Sequence, residues 1–307
     1  MAVLVLQEQG ARKMKRRYLS LLLIILLSLS LFTACGGDGA TYGNVPIMVN
    51  DPVITYELGI AVFRGNEVLR DQIWAALQVL SADGTVSQIA RRWFGEDPST
   101  IPPDRYATLA LEDVRERTLI IGFDLSNVPM SFVNPQGILS GFDIDLAQAV
   151  CDYFGWTLEL LPIDWADREM ELASANIDAL WGGVSLTESL RERLLYTEPY
   201  MESSQLVVTM SGRRIQTVRD TRNRYLAYRP GTMGELALIE NASFGNRLRA
   251  SIPAETLTAA LAALEQGEVD AVLMDRWAAD YFIRTGDVNA FGGRVPLLAQ
   301  DDVDGPE

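Results

Sequence analysis

The sequence predicts an α/β fold with largely parallel sheets. Two observations carry this: short apolar runs alternate with segments of helical period along most of the chain, and Gly and Pro punctuate the joins. A length of 307 residues suits one large domain or two lobes, either able to bury a substantial core.

Each element follows from its residues. Tyr56 to Phe63 reads as a strand. Glu67 to Leu80 places Val68, Leu69, Ile73, Leu77 and Leu80 at helical spacing, and Asp83-Gly84 ends that helix. Val86 to Phe94 starts another, and Glu96 to Asp104, with Pro98, Pro102 and Pro103, reads as a linker. A short helix running to Arg117 precedes Thr118 to Phe123, a buried strand. Two further helix–strand repeats end in the strand Gln205 to Thr209, and Asp145 to Phe154 has helical apolar spacing. The alternation then resumes. Arg224 to Tyr228 is a strand, Pro230-Gly231-Thr232 a turn, and Met233 to Glu240 a helix. Ala254 to Gln266 is a helix and Val269 to Met274 a strand.

Composition removes whole classes of chemistry. With no His there is no Ser-His-Asp or Cys-His catalysis and no His-ligated zinc. Two cysteines exclude a four-cysteine metal site and a disulfide-dense scaffold. A net charge of −15 argues against nucleic acid as a partner. No metal or cofactor is expected. Cys151 lies on the apolar face of a helix and reads as a small core residue.

The beginning of the chain bears on its compartment. Arg12, Lys13, Lys15, Arg16 and Arg17 form a basic run, Tyr18 to Phe32 is mostly apolar, and Thr33-Ala34-Cys35-Gly36-Gly37 follows. The apolar stretch is shorter than the roughly 20 residues of a membrane span. It reads as an export signal covering 1–34, with an uncleaved anchor as the alternative. Met14 is a second possible start. Phe32-Thr33-Ala34-Cys35 resembles the lipobox of bacterial lipoproteins, although Phe32 stands where Leu is usual. That resemblance implies lipidation at Cys35, with 35–44 as a Gly-rich tether from the membrane.

Residues 118–210 resemble the first lobe of the solute-binding proteins of amino-acid ABC transporters, the type II periplasmic-binding-protein fold. The motifs are Ile121-Gly122-Phe123-Asp124, Gly141-Phe142-Asp143-Ile144-Asp145-Leu146-Ala147, Asn176-Ile177-Asp178-Ala179 and Tyr196-Thr197-Glu198-Pro199-Tyr200. Residues 215–285 resemble the second lobe through Gly231-Thr232 and the run Gly267 to Asp275. The family's last segment stands here near the N-terminus, as Gly59 to Arg64, Leu69-Arg70-Asp71, Ala82 to Thr85 and Arg92-Trp93-Phe94-Gly95.

A circular permutation is the economical reading, with a fused fragment of a duplicated gene as its rival. Both old ends lie on the first lobe, so a linker at about 96–117 could join them. Residues 58–203 would then form lobe 1, and 45–57 plus 204–307 lobe 2. Hinges would fall near Glu57–Gly59 and Glu202–Gln205.

Ligands of open α/β sheets bind outside the carboxyl ends of strands. The resemblance places Asp275 as the ammonium-binding carboxylate, with a helix N-cap as the competing role. Asp124 matches a position that often touches ligand. Gly182, Gly183 and Ser185 match a loop offering backbone groups, and Thr232 could hold a carboxylate. Trp165 and Trp181 would be apolar walls, and Met130 a lesser candidate. Two positions depart from the family. Leu190 stands where a carboxylate-binding Arg is expected, leaving Arg191 as its substitute, and Asn127 replaces the usual aromatic residue.

The function implied is a monomeric, membrane-anchored receptor, not an enzyme, that delivers an amino acid or similar solute to an ABC permease. A dehydratase on the same fold and a sensory or scaffold module are the alternatives.

Overall fold

The structure, a computed structural model, describes residues 45–111, 114–134 and 137–285. Cys35 and the export segment lie outside these residues, as does everything after residue 285. The described residues belong to one compact unit.

The chain opens with a 17-residue strand, β1 (Pro46–Val62), three times the usual strand length. Expectation began this strand only at Tyr56. Asp51-Pro52 hid its first half, because proline cannot donate to a ladder. The pairing absorbs the interruption as a register shift between Val49 and Ile54. Helix α1 (Glu67–Ala82) buries Leu69, Ile73, Leu77 and Leu80, the predicted stripe. Gly84, at φ +91°, turns the chain into α2 (Thr85–Phe94). The short helix expected before Arg117 is only a 3₁₀ turn at Ala107–Ala110.

Then come β2 (Thr118–Phe123), a small antiparallel sheet of β3 (Ser126–Asn127), β4 (Ser131–Val133) and β5 (Leu139–Ser140), and α3 (Phe142–Phe154). The small sheet has no counterpart in the sequence reading. It is followed by β6 (Thr157–Pro162), α4 (Arg168–Ala173), β7 (Ala179–Ser185), α5 (Glu188–Arg191), β8 (Leu195–Tyr196) and β9 (Met201–Met210). The last stretch holds β10 (Tyr225–Tyr228), α6 (Met233–Glu240), α7 (Ala242–Gly245), β11 (Ala250–Pro253), α8 (Leu257–Gln266), β12 (Ala271–Asp275) and α9 (Arg276–Thr285). Helix α8 starts three residues later than expected because Thr256 caps it, accepting from Ala259 N–H.

The strands run β11-β10-β12-β9-β1-β7-β2-β6, with β8 beside β1. The sheet is parallel only in its flanks, β10 with β11 and β12, and β2 with β6 and β7. Its centre is antiparallel, β9 with β12 and β1 with β7, β8 and β9. Strands β1 and β9 are the crossing members. Residues 46–58 of β1 pair with β9, and Leu58 to Val62 turn to β7 and β8. From Ser203 on, β9 is buried, as expected of a strand covered on both faces.

This topology aims the two parallel flanks at each other. β7 ends at Ser185 opposite Leu58, and β12 ends at Asp275 opposite Gln205, both beside the crossing. Cores form on each side. One gathers Leu69, Ile73, Trp93, Phe94, Phe142, Leu146 and Cys151, the other Val208, Val272, Leu261, Leu264 and Phe282. Burial pushes the Cys151 thiol up to about 12, so it stays protonated and unreactive. Helix α9 joins both sides, with Trp277 packed 4.9 Å from the Phe94 ring and Tyr281 5.6 Å from Phe132.

Candidate functional site

A cleft of about 720 Å³ opens where the carboxyl ends of the two parallel flanks meet. Its floor is a polar cluster supplied by the crossing strands. Asp275, at the end of β12, accepts at one carboxylate oxygen from the hydroxyls of Tyr56 on β1 and Ser203 on β9. Its other oxygen accepts from Trp277 N–H at 2.7 Å and Ala278 N–H at 3.2 Å, capping α9. Burial raises the Asp275 carboxyl above its ordinary value, and these donors oppose the rise. Burial and the facing Asp275 charge push the Tyr56 phenol up as well. Gln205 completes the floor. Its amide nitrogen donates to the Tyr56 hydroxyl at 2.8 Å, while its buried oxygen has no partner.

The wall from the β2 flank begins with Asp124, one residue past β2. One oxygen accepts from Ser126 N–H and Oγ, at 2.9 and 2.7 Å. The other accepts from Arg229 Nη2 at 2.8 Å, across the cleft. Arg229 follows β10 directly, and its carbonyl is held by the Thr232 hydroxyl at 2.7 Å. Thr232 also caps α6 through Gly234 N–H. Trp165 lies in the same wall with the Arg168 guanidinium 5.3 Å from its ring centre.

Of the residues singled out in the sequence, Asp124, Asn127, Met130, Trp165, Gly183, Ser185, Thr232 and Asp275 line this cleft. Three do not. Gly182 sits behind it, its carbonyl accepting from Asn127 Nδ2 at 2.7 Å. A side chain there would begin 3.1 Å from Phe123 Cβ and from the Ser131 hydroxyl, a tight fit. Trp181 is fully buried in the core. Arg191, the expected substitute clamp, turns away to Glu57 at 3.2 Å and is about half exposed. One helical step rotates a side chain by about 100°, and Leu190 takes the cleft-facing place. Arg193 does reach the cleft, but pairs with Glu169 at 3.1 Å.

Sequence reasoning missed Arg229, Arg168, Tyr56 and Gln205. Arg229 was open to the rule that found Asp124 and Asp275, since it too ends a strand. Tyr56 and Gln205 were hidden because their strands read as apolar spans.

A buried carboxylate backs the Gly183 loop. Asp143 Oδ2 accepts from Gly183 N–H at 2.6 Å and from the Tyr200 hydroxyl at 3.0 Å. Burial pushes its carboxyl up to about 7 against these donors. Among the described residues no group of Cys, Asp and Glu is arranged to hold a metal ion.

The pattern of bacterial extracellular solute-binding proteins, family 3, matches residues 119–279, just over half the chain. The chain belongs to that family. It is 29% identical over 189 residues to the L-cystine-binding protein TcyJ of Escherichia coli K12, covering 60% of this chain and 70% of that protein. It is 28% identical over 179 residues to the histidine-binding periplasmic protein of Salmonella typhimurium, covering 56% and 66%. Among solved structures it is similar to an ABC uptake transporter substrate-binding protein from Streptococcus pneumoniae with bound histidine. That match has 34% identity and a TM-score of 0.52, covering 55% of this chain and 70% of the other. A second match is the ancestral amino acid-binding protein AncCDT-1, a precursor of cyclohexadienyl dehydratase. It has 26% identity and a TM-score of 0.50, with 55% and 74% covered. No helix among the described residues is long and apolar enough to cross a membrane.

Proposed function

We propose that this solute-binding protein works outside the cytoplasm, anchored through lipidated Cys35, and hands an amino acid or related polar solute to an ABC permease. The observation that carries the reading is the cleft between two parallel flanks that meet at β1 and β9. Two halves joined by crossing strands can close on a ligand, as hinge and shear motions do in periplasmic binding proteins. The lobes are 58–203 and 45–57 plus 204–307, with the linker at about 96–117 and hinges at Glu57–Gly59 and Glu202–Gln205. The order of elements reflects circular permutation: β1, α1 and α2 precede the family-matched region yet pack into the same core as α3. The tether at 35–44 follows removal of the signal at 1–34, and the protein acts as a monomer.

The cleft binds rather than reacts. General acid–base work needs an acid with an open valence toward substrate. Asp275 accepts four donors of this chain, and Asp124 accepts two from Ser126 and one from Arg229. That disfavours a dehydratase.

The test is a thermal-shift screen of residues 36–307 against the common amino acids, L-cystine, polyamines and small organic acids. A ligand at one hundred times Kd stabilises by about 2.7 kcal/mol. A clear rise with one amino acid, without its turnover, is expected. Silence from the folded protein, or product formation, overturns the reading.

A further inference from the structure

We infer that Arg229 is the carboxylate-binding group of this cleft, taking the role that Leu190 cannot fill, with Asp124 as its positioning partner. The inference rests on the amino-acid-binding reading and names the group that would select the ligand.

The two strand-end carboxylates of the cleft are engaged by donors of this chain, whereas Arg229 keeps N–H groups to offer. Asp124 gives one oxygen to Ser126 and the other to Arg229. Asp275 accepts four donors from its own chain. Arg229 carries five N–H groups in a planar fork and uses one of them on Asp124, so an edge suited to a bidentate carboxylate is left. Its side chain is only 20% exposed, and its main chain is pinned by the Thr232 hydroxyl. A guanidinium held in place loses little freedom on binding. Arg191 lacks these properties, being half exposed and paired with Glu57 away from the lining.

A second observation points to the ligand's other end. Gln205 is 3% exposed, lines the same cleft, and leaves its side-chain oxygen without a donor. That oxygen lies by the first turn of α6, 3.2 Å from where a side chain on Gly234 would begin. The Thr232 hydroxyl that holds Arg229 also caps this turn. A buried acceptor without a partner is costly, and a ligand N–H would satisfy it. Arg229 and Gln205 therefore flank one helix start with complementary demands, an anion and an N–H donor, as an α-amino acid supplies.

The test is calorimetric titration of the purified chain with amino acids and with the α-carboxamide of each one that binds. Wild type should prefer the acid. Arg229→Gln should weaken the acid at least about thirtyfold while leaving the carboxamide within about threefold, because only the charge-assisted pair is removed. Arg229→Lys should recover part of the preference, which also guards against a folding defect, checked by melting. Arg191→Gln should change neither ligand by more than about threefold. Retained acid preference in folded Arg229→Gln, or its loss in Arg191→Gln, overturns this assignment and leaves the receptor reading standing. No binding by wild type to any amino acid removes the receptor reading, and this inference with it.

Discussion

Arg229 donates to Asp124 across 2.8 Å, tying the residue after β10 to the residue after β2. Each ends a strand in a different flank of the sheet, so the pair spans the cleft. Both side chains are at most one-fifth exposed, which limits solvent screening. Asp124→Asn should remove the charge yet keep a bond to Ser126, lowering stability by about 1 kcal/mol. The ligand-free protein should also open more often. Chemical denaturation gives the first quantity, and the radius of gyration by X-ray scattering gives the second.

Asp275 is tied to four donors, and its removal strands all of them. Asp275→Ala should destabilise by about 2–4 kcal/mol, combining a lost cap on α9 with buried hydroxyls left unpaired. Asp275→Asn, which retains one acceptor oxygen, should lose less. Denaturant midpoints of the two variants check the ranking.

Asp143 gives a pH dependence with a definite sign. Its folded carboxyl titrates at about 7, far above the ordinary 3.8. The folded state therefore binds more protons than the unfolded state between those values. The stabilisation is complete below about pH 4 and is lost as pH rises through about 7. Asp275, also raised, adds a contribution of the same sign. Measured as melting temperature against pH, Asp143→Asn should show a smaller decline than wild type from pH 4 to 7.

Gly183 holds φ +67°, and a side chain there would begin 2.5 Å from Asn127 Nδ2. Gly183→Ala should cost about 1–2 kcal/mol in backbone strain and displace Asn127 from the Gly182 carbonyl. Ligand affinity should fall with it, because Asn127 and Gly183 both line the cleft. Calorimetry on the folded variant reads this directly.

Much of the fold was legible because its signals are local. The α1 stripe, the Asp83-Gly84 stop and the strand Thr118 to Phe123 need only neighbouring residues. The length of β1 was not, since a bulge around Asp51-Pro52 is tolerated only with β9 alongside. The mixed character of the sheet was hidden for the same reason: strand direction is a property of pairs. In the site, strand-end residues could be found by position, as Asp124 and Asp275 were. Whether they are free to meet a ligand depends on Tyr56 and Ser203, and on Arg229, which lies 105 residues from Asp124. Arg191 shows the limit most plainly. Sequence adjacency to Leu190 suggested replacement, and the turn of α5 carries it to Glu57 instead.

Calorimetric titration of the protein with the amino acids one by one reads directly whether this cleft receives one of them. One-to-one binding of at least one of them is expected, with a negative heat-capacity change as the cleft closes and buries apolar surface. A folded protein that takes up none of them at millimolar concentration would contradict it.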